Sequence, residues 1–270
     1  VEKCQHIVKP EIDWDAHHEL ARTVAEQGAV LLKNEDHILP LRESDMVLIG
    51  SMAENLRYQG SGSSHINPTK LVNLTDAMPD ASFVACCDAQ GNVTDAALQE
   101  AAEAAKAHEI AVVVAGLPDI YESEAFDREH MRLPEGYNAL VNAVAAANPN
   151  TVVVLLGGSA MELPWADQVK AILYMGLPGQ AGGEAAANLL TGKASPSGKL
   201  TESWPVNYDD VISKDTFGKK NTEYREGIYV GYRYYDKAGK AVRYPFGHGL
   251  SYTEFTYSNL TIINRHVSFS

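Results

Sequence analysis

The chain has 270 residues, 45% hydrophobic and 21% charged, with a formal net charge of −13 at pH 7. That composition suits a globular fold with a sizeable core, and the length favours one large domain with an appendage. The acidity, with no compensating basic run, argues against nucleic-acid binding, and no apolar stretch approaches the roughly 20 residues that span a bilayer.

Three cysteines are present: Cys4, Cys86 and Cys87. An odd count with two adjacent members is not a disulfide framework. The pair ends the apolar run Ser82-Phe83-Val84-Ala85, so buried free thiols are expected. The N-terminus has neither an initiator Met nor a signal-peptide core, and the chain reads as starting partway through a larger protein, with its compartment left open. Sequons at Asn73, Asn92 and Asn259 arise too readily by chance to indicate secretion.

Residues 14–27 carry apolar side chains at helical spacing and reach Gly28, a plausible cap. Residues 29–34 and 47–50 read as strands, separated by a polar turn and Pro40. The Gly60–Ser64 stretch is a flexible loop. Residues 71–78 suggest a short helix and 83–86 a strand. Thr94 is the candidate N-cap of an Ala-rich helix over 94–107. Residues 110–115 form a strand, 134–147 a helix with Pro134 near its start, and 151–156 and 171–175 two further strands. A helix over 180–191 stops at Gly192. Strands apolar throughout, alternating with helices, predict an α/β fold: a mostly parallel sheet sandwiched between helices. Beyond Leu200 the pattern changes. Residues 207–227 are polar and aperiodic, 228–235 are Tyr-rich and strand-like, 244–252 are turn-rich, and from Phe255 the sequence alternates with period two.

Most motif readings fail on spacing. Gly60-Ser61-Gly62-Ser63-Ser64 lacks the lysine of a phosphate loop, and no dinucleotide fingerprint occurs, so no cofactor is expected. Gly157-Gly158-Ser159 does not complete a nucleophile elbow, because Met161 stands where glycine belongs. His17-His18 lacks partners for a metal and reads as an exposed or packing face. Leu177-Pro178-Gly179-Gln180 reads as a tight turn. The stretch Tyr121-Glu122-Ser123-Glu124-Ala125-Phe126-Asp127-Arg128 stands apart. It follows a buried strand, at the sheet edge where open α/β folds place chemistry. Two carboxylates near an arginine can supply a proton donor and a means of tuning it.

Taken in order, these segments resemble the second domain of glycoside hydrolase family 3. The resemblance rests on Val30-Leu31-Leu32-Lys33-Asn34-Glu35, Gln59 to Ser64, Tyr121 to Arg128 and Gly176 to Gln180. It continues through Pro196-Ser197-Gly198-Lys199-Leu200, Gly231 to Tyr235 and Tyr244 to Tyr252. It implies a retaining β-glycosidase with no cofactor, acting on a β-glucoside or related oligosaccharide. The nucleophile would lie on a (β/α)8-like barrel absent from this chain, leaving it inactive alone. The acid/base would be Glu124, with Glu122 as the alternative and Arg128 shaping the loop. The implied layout is a linker and helix over 1–28, the sandwich over 29–205, an irregular, strand-rich extension over 206–253, and the start of a fibronectin-III-like domain over 254–270. Ala125 departs from the family pattern, which has Gly; a positive φ there would strain an alanine. Two other readings compete: a non-catalytic carbohydrate-binding or interaction module, and a flavodoxin-like nucleotide-binding domain. An apolar, exposed docking face would mark a fragment and a charged one an independent module.

Overall fold

The computed structural model describes residues 11–42, 45–263 and 266–268. Helix α1 (Trp14–Gly28) leads into the edge strand β1 (Val30–Asn34). Strand β2 (Met46–Ile49), the one-turn helix α2 (Leu74–Ala77), strand β3 (Ser82–Val84), helix α3 (Asp95–Ala107) and strand β4 (Ile110–Gly116) follow. Helix α4 (Glu135–Ala147), strands β5 (Thr151–Leu156) and β6 (Ala171–Gly176), and helix α5 (Gly182–Thr191) complete the alternation. The sheet has six strands in the order β1-β6-β5-β4-β2-β3, all parallel except β1 against β6. From β3 to β6 this is a doubly wound order, with the order of strand addition reversing between β2 and β4.

The strand sequences explain the arrangement. Every residue of β4 and β5 is buried, and both read as unbroken apolar or β-branched runs. Such strands must be covered on both faces, which the crossover helices do. Thr94 caps α3 as expected, accepting from the Ala97 amide at 3.2 Å. No helix among the described residues is long and apolar enough to cross a membrane.

Beyond the sheet, β7 (Trp204–Pro205) pairs with β8 (Val242–Tyr244), and α6 (Tyr232–Ala238) lies between them in sequence. The strand expected over residues 228–235 is therefore not found. Gly231, at φ 60°, precedes a helix that Gly239 closes in the left-handed region, so glycine punctuation outweighs the β propensity of the tyrosines. Among the described residues, the alternating segment from Phe255 forms strand only at β9 (Thr261–Ile263), paired with β10 (His266–Ser268). The turn-rich connector covers β1: the Leu250 amide donates to Leu31 and His248 Nε2 lies 2.8 Å from the Leu32 carbonyl oxygen. That contact protects part of a sheet edge. An aromatic run from Tyr174 through Trp204 and Tyr244 to His248 packs beneath it.

Candidate active site

The acidic loop starts where β4 ends. Leu117 is buried, a short turn covers Asp119–Glu122, and Ser123 forms a parallel bridge with Ser61 of the glycine-serine loop. The Glu124 amide donates to the Ser61 carbonyl at 3.2 Å, and the Phe126 amide to the Ser123 carbonyl at 3.2 Å. The second bond closes a β-turn with Glu124 and Ala125 at its centre. Ala125 has φ 68°, as the third position of a type II turn requires. The sequence posed this condition, and the backbone meets it at a cost of about 1–2 kcal/mol for a residue with a Cβ.

The two glutamates part company. The Glu122 side chain is 12% exposed and turns inward. It accepts from Arg57 Nη1 at 2.5 Å, from the Gly158 amide at 2.9 Å, and from the Ser159 hydroxyl. The Arg57 side chain is itself only 4% exposed. It donates further to the Leu117 carbonyl at 2.6 Å and to Asp119 at 3.1 Å. Arg128 donates to the Ser159 hydroxyl oxygen at 2.6 Å and to the Ala160 carbonyl at 3.0 Å. Burial lowers the proton affinity of Arg128, opposed by the Glu122 charge, though a guanidinium stays charged throughout. Arg57, Glu122, Ser159 and Arg128 thus form one chain of polar contacts tying the acidic loop to the end of β5.

Glu124 faces outward and is exposed. One carboxylate oxygen accepts from both the Ser63 hydroxyl and the Ser63 amide, the amide at 2.6 Å. These bonds, the hydroxyl first, hold its pKa below the ordinary glutamate value. Gly62 makes the contact possible. It sits at φ 108°, and a Cβ there would lie 2.4 Å from the Glu124 Cβ. Ser61, Ser63, Glu124, Phe126, Arg128 and Ser159 line an open cleft of about 540 Å³. Glu122 also borders it, but its oxygens are occupied. The cleft thus presents one carboxylate free of any ion pair, positioned to give or take a proton.

The sequence reading placed Glu122, Glu124 and Arg128 on one loop, and the structure brings all three to this cleft. It did not single out Arg57, which lies 62 or more residues before its acidic partners. It dismissed Gly157-Gly158-Ser159 as a failed nucleophile motif, whereas Gly158 and Ser159 anchor Glu122. Ser63 belonged to a motif noted only as a loop. His18 is a packing histidine: Gln180 donates to its Nδ1 at 2.8 Å, and its Nε2 meets Glu184 at 2.8 Å. The Leu177–Gln180 turn therefore fixes α1 as well as turning the chain.

The family model of the glycosyl hydrolase family 3 C-terminal domain matches residues 29–252. The chain belongs to that family. It is similar to thermostable beta-glucosidase B of Acetivibrio thermocellus, at 48% identity over 95% of this chain and 35% of that protein. An exo-alpha-(1->6)-L-arabinopyranosidase of Bifidobacterium longum is 42% identical over 93% of this chain and 35% of its own length. Among solved structures, the family 3 beta-glucosidase of Bifidobacterium adolescentis superposes with a TM-score of 0.91 and 41% identity, over 96% of this chain and 40% of that one. The chain spans about a third of the length of the curated relatives it matches.

Proposed function

We propose that this family 3 C-terminal domain supplies the general acid/base of a retaining β-glycosidase, and that Glu124 is that residue. Glu124 protonates the departing glycosidic oxygen, then deprotonates the water that releases the glycosyl-enzyme. The observation that carries the reading is the division of labour between the glutamates. Glu122 is held by an arginine, an amide and a hydroxyl, and has no oxygen to spare for a substrate. Glu124 stands at the rim of an open cleft, and the contacts that hold it, from the Ser63 amide and hydroxyl, fall on a single carboxylate oxygen.

The charge state supports a second domain. An acid must start its cycle protonated, yet Ser63 stabilises the Glu124 carboxylate. Covering the cleft with low-dielectric protein and placing a nucleophile carboxylate nearby both push the pKa upward. Retaining hydrolysis needs that second carboxyl roughly 5–5.5 Å away. The nucleophile would come from a (β/α)8-like barrel, for which the additional two thirds of the relatives' length leaves room. Exposed Ile120 and Phe126 beside the cleft, and Tyr224 and Ile228 in the extension, are the apolar surface expected of a docking face. The substrate is a β-glucoside or a related oligosaccharide; the two relatives differ in the sugar named.

In the whole enzyme, Glu124→Ala should slow hydrolysis of substrates with alkyl or sugar leaving groups by roughly 10²–10⁴-fold. It should spare nitrophenyl glycosides in the glycosylation step, and azide should restore deglycosylation. The 270-residue chain alone should not turn over aryl β-glucosides. If Glu122→Ala carries the leaving-group dependence and azide rescue while Glu124→Ala behaves as wild type, the role belongs to Glu122.

A further inference from the structure

Cys86 and Cys87 leave the sheet immediately after its other edge strand, β3. The Cys87 amide donates to the Ala85 carbonyl at 2.8 Å, and Cys86 has φ 61°. This is a γ-turn with a positive central φ, a rare and strained conformation for a residue with a side chain. It places the two thiols against each other. Their mutual influence, the leading one on each, pushes the Cys87 thiol up and holds the Cys86 thiol down, and the Cys86 thiol donates to the Ala97 carbonyl on α3 at 3.4 Å. Both cysteines are free. Cys86 is half-buried and Cys87 is 6% exposed.

We propose that Cys86 and Cys87 form a two-sulfur binding site for a soft trivalent metalloid, specifically an organoarsenic(III) oxide. Soft thiolate ligands select soft centres. An organoarsenic(III) already carries one carbon and needs two sulfurs, which is what the turn provides. Zinc would need four ligands, and among the described residues no group of three or more His, Cys, Asp or Glu is placed to hold a metal ion. In the binding step each thiol gives up its proton and two As–S bonds form. The As–O bond breaks, and the oxygen leaves with both protons as water. Arsenic stays trivalent, so nothing is oxidised or reduced. The adduct is neutral, which suits a sulfur as buried as that of Cys87, because no bare charge is left in the apolar surroundings. Entry is through half-exposed Cys86, and capture by Cys87 follows within the same turn.

The experiment uses phenylarsine oxide and the chain carrying Cys4→Ser, Cys4 lying outside the described residues. One arsenical should bind per chain, mapped by mass to the peptide containing residues 86 and 87. The adduct should survive excess 2-mercaptoethanol and be removed by 2,3-dimercaptopropanol, the signature of two sulfurs on one arsenic. Cys86→Ser should lose roughly 10²–10⁴-fold in affinity, the usual worth of a second tethered contact. Its half-buried position makes it a safer substitution than Cys87→Ser. An absent adduct, one stripped by 2-mercaptoethanol, one mapping elsewhere, or one that survives the monothiol in Cys86→Ser overturns the proposal.

Discussion

Replacing each glutamate of the acidic loop should separate a structural carboxylate from the proposed acid/base. Glu122→Ala removes the acceptor for Arg57 Nη1, the Gly158 amide and the Ser159 hydroxyl. Breaking a buried ion pair from one side typically costs 3–5 kcal/mol, because the partner charge stays buried. Arg57 keeps the Leu117 carbonyl and Asp119, but Asp119 is 64% exposed and water screens that pair. The expected loss is therefore at the lower end, about 3 kcal/mol. Glu122→Gln keeps one acceptor oxygen for Gly158 and Ser159 but turns a donor NH2 towards Arg57, losing the charge and the Arg57 hydrogen bond. It should cost about 1.5–3 kcal/mol, the range of a hydrogen bond to a charged group. Glu124→Gln alters a solvated group and should leave the urea midpoint close to that of wild type. Urea unfolding of the 270-residue chain, with midpoint and slope both recorded, reads all three. A loss below about 0.5 kcal/mol for Glu122→Ala, or a larger loss for Glu124→Gln than for Glu122→Gln, would refute the assignment of Glu122 as an anchor.

Two further outcomes follow from the same loop. Ser63→Ala removes the strongest influence lowering the Glu124 pKa and leaves the Ser63 backbone bond. The Glu124 pKa should rise part of the way to the ordinary value, as read by carboxyl-carbon NMR titration. The wild-type pKa is lower folded than unfolded, so the associated stabilisation is present above the unfolded value and lost as pH falls through the folded one. An unchanged titration in Ser63→Ala would show that the contact is not formed in solution. Ala125→Gly relieves about 1–2 kcal/mol of left-handed strain, offset by about 0.4–1 kcal/mol of extra chain entropy in the unfolded state. A net stabilisation of about 0.5–1 kcal/mol should appear in urea; a destabilised variant would mean the turn is not strained as its φ implies.

The sheet was legible in the sequence because every residue of β4 and β5 is apolar or β-branched, which admits only a doubly covered central position. Helices α3 and α5 were legible through Thr94 and Gly192, whereas Gly28, expected to cap α1, lies inside that helix and Ala29 is its C-cap, because the chain runs straight on into an extended conformation. The Tyr-rich segment after residue 228 was misread because aromatic residues pack in either state. What decided it was a pair of glycines whose φ values a sequence does not display. At the site, the sequence put Glu122 and Glu124 two residues apart and could not say which pointed inward. That depends on Arg57 and on Gly158 and Ser159, brought in by different strands. Short-range patterns carry no information about such long-range partners.

Ala125 is where local preference and structure disagree most sharply near the site. A sequence chosen for the turn alone would carry glycine there, since the third position of a type II turn needs φ above zero. The neighbouring contacts show how an alanine is held in that conformation. The Ser61–Ser123 bridge and the Glu124 amide bond fix the turn from one side. The Glu122 anchor fixes it from the other, through Arg57 and the end of β5. Between those two tethers the loop has little freedom left, so Glu124 is presented in one direction, against Ser63 and over Gly62, where any larger residue would displace it. Strain of this kind persists only where surrounding contacts over-determine the backbone, and such places concentrate at functional sites. On this argument the rigidity of the Glu124 turn comes from the inward-facing glutamate two residues before it, and under the proposed function the two carboxylates act as a structural and a chemical half of one device.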